Sequence, residues 1–256
     1  ISDTPGGGGT TGDGSAIFVD ILDNAFQDIG TTASTATAVT HPTGLQATET
    51  TDSTPPIILF AALDLNSGEL TMLFSETLDL TPTTSKVDLM RIHIADISGD
   101  KALTLDSAAV GNSADDIRLT VFLTETQRIS ALLISGTPGG DGTALVLDVN
   151  AGALMDIAQN ENTDYANIQI VETPDTTKPF VVSGMLDLNT GELTLQCSET
   201  LDLSPLTSKV DLSGIYLANI SGDKAVTLAG AAIGNGADDT TLTVFLTETQ
   251  RAAALA

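Results

Sequence analysis

The chain has one cysteine, Cys197, so it cannot close an internal disulfide. It has no tryptophan and only 9 lysines and arginines against 34 aspartates and glutamates, a formal charge of −25. That balance excludes nucleic acid and anionic membrane as default partners, since both select basic surfaces. No apolar run approaches the roughly 20 residues that cross a bilayer, so membrane insertion is not expected. The opening Ile1-Ser-Asp-Thr-Pro-Gly-Gly-Gly-Gly9 has neither the basic start nor the apolar segment of a signal peptide. A secreted chain of this kind is expected to be processed, or to be an excerpt of a longer one. What is abundant is Thr, Ser, Gly, Ala and Asp, the composition of secreted microbial repeat proteins. Such acidity with so few lysines suits a soluble, self-repelling extracellular or cell surface, or a cation-rich medium.

A long internal repeat organises the sequence. Leu63-Asp-Leu-Asn-Ser-Gly-Glu-Leu-Thr-Met-Leu-Phe-Ser-Glu-Thr-Leu-Asp-Leu80 returns almost unchanged from Leu186 to Leu203, an offset of 123 residues. Ser85–Leu89, Ile97–Ala102 and Leu119–Arg128 return at the same offset as Ser208–Leu212, Ile220–Ala225 and Leu242–Arg251. A period of this size is too long for a solenoid unit and fits one complete domain.

Within the repeat the pattern is β. Leu70, Met72 and Phe74 alternate with polar residues, as do Leu193, Leu195 and Cys197, which is the signature of a half-buried antiparallel strand. Asn66-Ser-Gly68 and Asn189-Thr-Gly191 before them read as hairpin turns. Further strands are predicted at Pro56–Leu63, Val87–Ala95, Lys101–Leu105, Ile117–Leu123, Ala144–Val149 and Tyr165–Glu172. About seven short strands per module predict an all-β, two-sheet sandwich. Thr124-Glu-Thr-Gln127 and Thr247-Glu-Thr-Gln250 fit capping boxes, so each module should carry one short helix crossing between the sheets.

The two ends are complementary. Ala16–Asp20 resembles Ala144–Asp148, and Leu45–Thr50 resembles Ile168–Thr173. Residues 1–54 therefore read as the last two strands of a module, 55–177 as a complete module, and 178–256 as a module lacking its last two strands. Residues 1–54 hold apolar positions (Ile17, Val19, Ile21, Leu45, Ala47) with no sheet beneath them, and a lone hairpin is barely stable in water. An open sandwich is an aggregation hazard unless filled. Leu242, Val244 and Leu246 are expected to take part on the accepting side. The expected partner is another copy: head-to-tail joining is heterologous and propagates as a filament, either by strand complementation between chains or as one period of a longer chain.

Asp175-Thr-Thr-Lys-Pro-Phe-Val-Val-Ser183 resembles the "DTTAPTVVS" start of bacterial Ig-like repeats found in S-layer proteins and large adhesins. Leu193–Asp202 resembles their "ltFSEpvd" strand, with Cys197 in place of the aromatic that Phe74 keeps. Met155-Asp-Ile-Ala-Gln-Asn160 resembles their "vtDlaGN" loop, with Gln159 replacing the glycine. The resemblance implies an Ig-like sandwich in a repetitive microbial surface protein and carries no activity.

Candidate sites are few. Asp64, Asn66, Asp187 and Asn189 recur in loops that offer half of a calcium site. The distal bidentate Glu and remaining oxygens are missing at the required spacing, so the turn reading takes precedence over calcium. Asp115-Asp116 and Asp238-Asp239 read as solvated loop acids. No other cofactor is expected. His41 and His93 have no nucleophile motif nearby, and Cys197 reads as a core residue, so no catalytic role is assigned. The Gly-rich Gly6–Gly9 and Gly139-Gly140 lack the lysine of a phosphate loop. Covalent glycans are expected at Asn219, in the sequon Asn219-Ile-Ser221, and on Thr31, Thr32, Thr35, Thr37 and Thr40 of a Thr-rich stretch. Phe122 and Phe245 stand opposite the apolar register of their strands, and read either as helix contacts or as contacts between subunits.

Overall fold

The computed structural model describes residues 16–30, 35–40, 43–99, 101–204, 209–222 and 225–256. Two compact units divide it, residues 1–175 and 176–256. Strands carry most of the regular structure among the described residues, and the fold is an all-β sandwich.

Unit 1 begins with a two-stranded hairpin, β1 (Phe18–Val19) and β2 (Leu45–Gln46). The main body follows: β3 (Ile58–Asp64), β4 (Glu69–Leu78), the single turn α1 (Thr83–Lys86), β5 (Ile92–Asp96), β6 (Ala102–Thr104), β7 (Ala109–Val110), β8 (Asp116–Phe122), α2 (Glu125–Leu133), β9 (Leu145–Val149) and β10 (Tyr165–Thr173). The hydrogen-bonded order is β6-β5-β9-β10-β3-β4-β8-β7.

That continuous order conceals two layers. The first half of β10 pairs antiparallel with β9, through Ile168↔Leu147 and Gln169↔Val146. Its second half pairs parallel with β3, from Ile170↔Ala61 to Thr173↔Asp64. A register shift interrupts the β9-paired half between Tyr165 and Ile168, where Asn167 sits at φ 59, and the pairing passes to β3 directly after Gln169. So β10 leaves one sheet and joins the other, as bulged corner strands do. One core lies between the layers, built from alternating inward residues: Leu63, Leu70, Met72 and Leu119 from one sheet, Ile92, Ile94, Leu145 and Leu147 from the other.

The helix ties both layers together. Thr124 and Gln127 form the capping box. The Gln127 side chain donates to the Thr104 carbonyl on β6 (3.0 Å), while Arg128 donates to the Leu65 carbonyl in the β3–β4 turn (2.8 Å).

Unit 2 repeats these elements up to its helix: β11 (Val181–Asp187), β12 (Glu192–Leu201), β13 (Tyr216–Ala218), β14 (Ala225–Thr227), β15 (Ala232–Ile233), β16 (Asp239–Phe245) and α3 (Glu248–Leu255). The β11/β12 and β12/β16 ladders shift register at the same repeat positions as β3/β4 and β4/β8. Here, however, β11-β12-β16-β15 and β13-β14 are separate sheets. Among the described residues of unit 2, no strand does what β9 and β10 do in unit 1.

Candidate functional site

The region of interest in unit 2 is the space that β9 and β10 occupy in unit 1. In unit 1, β9 lies along β5 from Ile92↔Val149 to Asp96↔Leu145, and Leu145, Leu147 and Val149 are buried. Glu172 on β10 accepts from the Leu145 amide (3.0 Å) and the Gly136 amide (3.1 Å), so one carboxylate fastens both strands to the loop after α2. Asp175, just beyond β10, accepts from Arg128 at 2.7 Å. Arg128 is only 5% exposed and also holds Glu125 at 2.7 Å. These carboxylates, Glu125 foremost, raise the guanidinium's proton affinity further and keep it charged despite its burial.

The matching positions of unit 2 are open. Val181 is 56% exposed where Ile58 is 7% exposed, and Ile215 and Leu217 are half-buried where Ile92 and Ile94 are fully buried. A cavity of about 660 Å³ lies there, lined by Leu186, Tyr216, Leu217, Ala218, Asn219 and Val226 and by the end of α3. Arg251 keeps its Glu248 and Leu188 partners, but no acid among the described residues takes the Asp175 position, and its side chain is 29% exposed.

The β1–β2 hairpin reproduces the β9–β10 pairing. Val19↔Leu45 and Phe18↔Gln46 match Leu147↔Ile168 and Val146↔Gln169. The Ile17 amide donates to Glu49 Oε1 at 2.9 Å, the counterpart of the Leu145–Glu172 bond. The strand edges differ in burial: Phe18, Val19 and Leu45 are exposed, while Ile17, Ile21 and Ala47 are half-buried. Leu242, Val244 and Leu246 stand at the repeat positions of Leu119, Val121 and Leu123, which in unit 1 share one core with Leu145 and Leu147 of β9. Leu242 and Val244 are buried in unit 2's own core with Leu246 packed against it, because β16 is an interior strand between β12 and β15. The edges that β10 and β9 cover in unit 1 correspond here to those of β11 and β13.

No protein-family profile matches this chain, and no curated protein matches it. Among solved structures, the N-terminal part of the bacterial S-layer protein SbsC is similar at 13% identity and TM-score 0.31, over 75% of this chain and 44% of that one. The aligned region thus spans less than half of that chain, and at this score the likeness carries no argument about fold or function.

The acidic loops act locally. Asp64 accepts from the Asn66 amide (2.9 Å) and side chain (2.8 Å), and Asp187 accepts likewise from Asn189 (2.7 and 3.1 Å). The Asn66 side chain for Asp64, and the Asn189 amide for Asp187, are the main influences that hold these carboxyls below their usual range. They are Asx turns completed by Gly68 and Gly191 at positive φ. Asp115 and Asp238 fasten the Leu80 and Leu203 amides (2.9 and 2.8 Å).

A different acidic group, not evident from local spacing, joins the Met155–Asn160 loop to Asp52 and Glu76, the repeat equivalents of Asp175 and Glu199. Asp52 from the linker, Glu76 from the "SE" strand and Asp156 from the "DIAQN" loop bring carboxylate oxygens within 4.8 Å of one another. Burial, then Asp156 and Asp52, push the Glu76 carboxyl above its usual range. Hard cations with oxygen ligands suit such a donor set, which supplies part of the six to eight oxygens that calcium takes. In the same loop Gln159 has φ 71, a left-handed conformation that glycine adopts more readily.

The remaining candidates are dispersed. His93 contacts Thr104 Oγ1 (3.1 Å) and Asn150 (3.4 Å), and His41 lies outside the described residues. Cys197 is buried, which raises its thiol pKa. Phe122 and Phe245 lie on Gly111 and Gly234, where a Cβ would meet the rings at 2.6 and 2.7 Å. Thr35, Thr37, Thr40 and Asn219 are exposed, and Thr31 and Thr32 lie outside the described residues.

Proposed function

We propose that this chain is a structural protein of an extracellular or cell-surface assembly, built from Ig-like modules that join head to tail by strand complementation. Residues 1–54 act as the donated strand pair, 55–177 as a closed module, and 178–256 as the accepting module. The observation that carries this reading is that β1–β2 holds the β9–β10 register and its glutamate–amide bond, while unit 2 has a cavity where those strands would lie. The partner is the protein itself, by a heterologous contact that propagates. Joined as separate chains or as successive periods of a longer one, the product is a fibre. Its task is mechanical rather than catalytic. Among the described residues no helix is long and apolar enough to cross a membrane.

Glycans on Thr35, Thr37 and Thr40 are compatible with assembly. At Asn219 modification and strand docking exclude each other, because the matching Asp96 is 4% exposed beneath β9. We therefore expect Asn219 to be unmodified in assembled material. Negative-stain images and sedimentation of the full chain test the reading: concentration-dependent filaments are expected, and a monodisperse monomer at all concentrations overturns it.

The Asp52–Glu76–Asp156 group favours a second reading, a calcium-stiffened spacer of an adhesin or S-layer protein. Calcium would then bind at this group rather than in the Asp64 and Asp187 turns. The two readings differ in whether stability or assembly responds to a chelator.

A further inference from the structure

We infer that the accepting module takes the β1–β2 hairpin of a second copy in a single register, locked by an ion pair between Arg251 and the incoming Asp52. This rests on the head-to-tail reading and adds the contacts that define the joint. The template is unit 1, where both seams are visible. Transferring β5–β9 places Val19 opposite Leu217 and Phe18 opposite Ala218, antiparallel. Transferring β10–β3 places Glu49 opposite Leu186 on the outer edge of β11, in parallel. The donor needs little rearrangement, because its internal pairing already matches the template.

The ion pair follows from charge and position. Asp52 stands in the repeat where Asp175 stands, and Asp175 is the acid that Arg128 holds at 2.7 Å. Arg251 is the repeat of Arg128, with the same glutamate three residues before it and the same grip on a turn carbonyl, Leu188 at 2.9 Å. Asp52 also lies beside Glu76 and Asp156, so an arriving guanidinium meets a crowded negative site. Buried Arg–carboxylate contacts fix register as well as adding attraction. A slip of two residues along β13 would keep the apolar alternation but separate this pair. That is how one register is selected from several with similar burial.

Cysteine pairs in the full chain, with Cys197→Ala to remove the native thiol, test the register. Val19→Cys with Leu217→Cys is expected to give a covalent ladder of multimers on mild oxidation. Its template pair, Leu147 and Ile94, is a directly opposed cross-strand pair with close Cα atoms, within disulfide reach. Ile17→Cys with Leu217→Cys is expected to stay uncoupled. Multimers from the second pair, in a protein that still assembles, overturn the register and leave the head-to-tail reading standing. Bonds formed only within one chain overturn the inference. Absence of both bonds and assembly overturns the inference and the reading beneath it. A charge exchange provides a check that avoids cysteine. Arg251→Asp or Asp52→Arg alone should weaken association roughly tenfold or more, and the double exchange should recover most of it. Single exchanges with no effect on association overturn the Arg251–Asp52 lock.

Discussion

The chain contains its own control. Unit 2 carries the same hairpins, bulges and capped helix as the body of unit 1, yet β13–β14 forms no ladder with its main sheet. The difference is one strand pair. In unit 1, β10 belongs to both sheets, and β9 buries three side chains between them. Without their counterpart, the shared elements keep local geometry but leave Ile215 and Leu217 half-covered. Turn chemistry and capping are local and survive in both regions. Core closure needs partners far apart in sequence, and among the described residues unit 1 supplies them through β9 and β10.

The largest test of that contrast removes apolar volume from the stitching strand. Leu147 is fully buried in unit 1, so Leu147→Ala should cost about 2–5 kcal/mol of stability by lost transfer energy and an unfilled cavity. The matching Val19→Ala touches an exposed residue and should leave the full chain's melting temperature nearly unchanged while weakening assembly. Calorimetry of both variants, with sedimentation of the second, gives the comparison. Equal losses of thermal stability would mean that β1 already has a core beneath it.

A smaller effect is expected at the paired arginines. Arg128→Ala leaves the Asp175 carboxylate without its guanidinium and should cost about 1–3 kcal/mol. Arg251→Ala removes an exposed contact with Glu248 and a turn carbonyl, so unassembled protein should lose less than with Arg128→Ala. The gap should narrow in assembled material. Chemical denaturation of both variants, before and after assembly, measures it.

Much of this architecture is legible in the residues. Period-two patterning places the main strands, and Thr124–Gln127 marks the helix start that the capping box forms. The strand predicted from Val87 begins only at Ile92, because Asp88 caps a 3-10 turn over Leu89–Arg91. The two-residue β7 is too short to show a period. Alternation tells which face a side chain takes and says nothing of which edge its strand takes. That is why Leu242, Val244 and Leu246 mark an inward face of β16 without marking which strands bear the edges that β9 and β10 cover in unit 1. The change of sheet within β10, the Arg128–Asp175 clasp and the Asp52–Glu76–Asp156 group depend on contacts across tens of residues, which spacing does not encode.

The finest test concerns that acidic group and separates spacer from polymer. Glu76 binds its proton more tightly in the fold than its ordinary value of 4.5 implies, chiefly through burial and then through Asp156 and Asp52. The sign follows from linkage: the folded state retains the proton longer, so this group's contribution to stability falls as pH rises from about 4.5 through the raised value. At pH 7 the charged carboxylate is therefore a cost, and Glu76→Gln should raise the melting temperature in chelator. Its advantage should shrink on acidification toward pH 4, where the wild-type side chain is mostly protonated in both states. Calcium reverses the expectation, since a bound cation makes the wild-type carboxylate favourable and a glutamine a poorer ligand. Melting curves of both proteins at pH 7 and pH 4, with chelator and with calcium, yield the contrast. A calcium-dependent rise confined to wild type favours the spacer. A chelator-insensitive wild type that still assembles favours strand complementation without metal, and a Glu76→Gln protein that melts lower in chelator refutes the assigned electrostatics of the group.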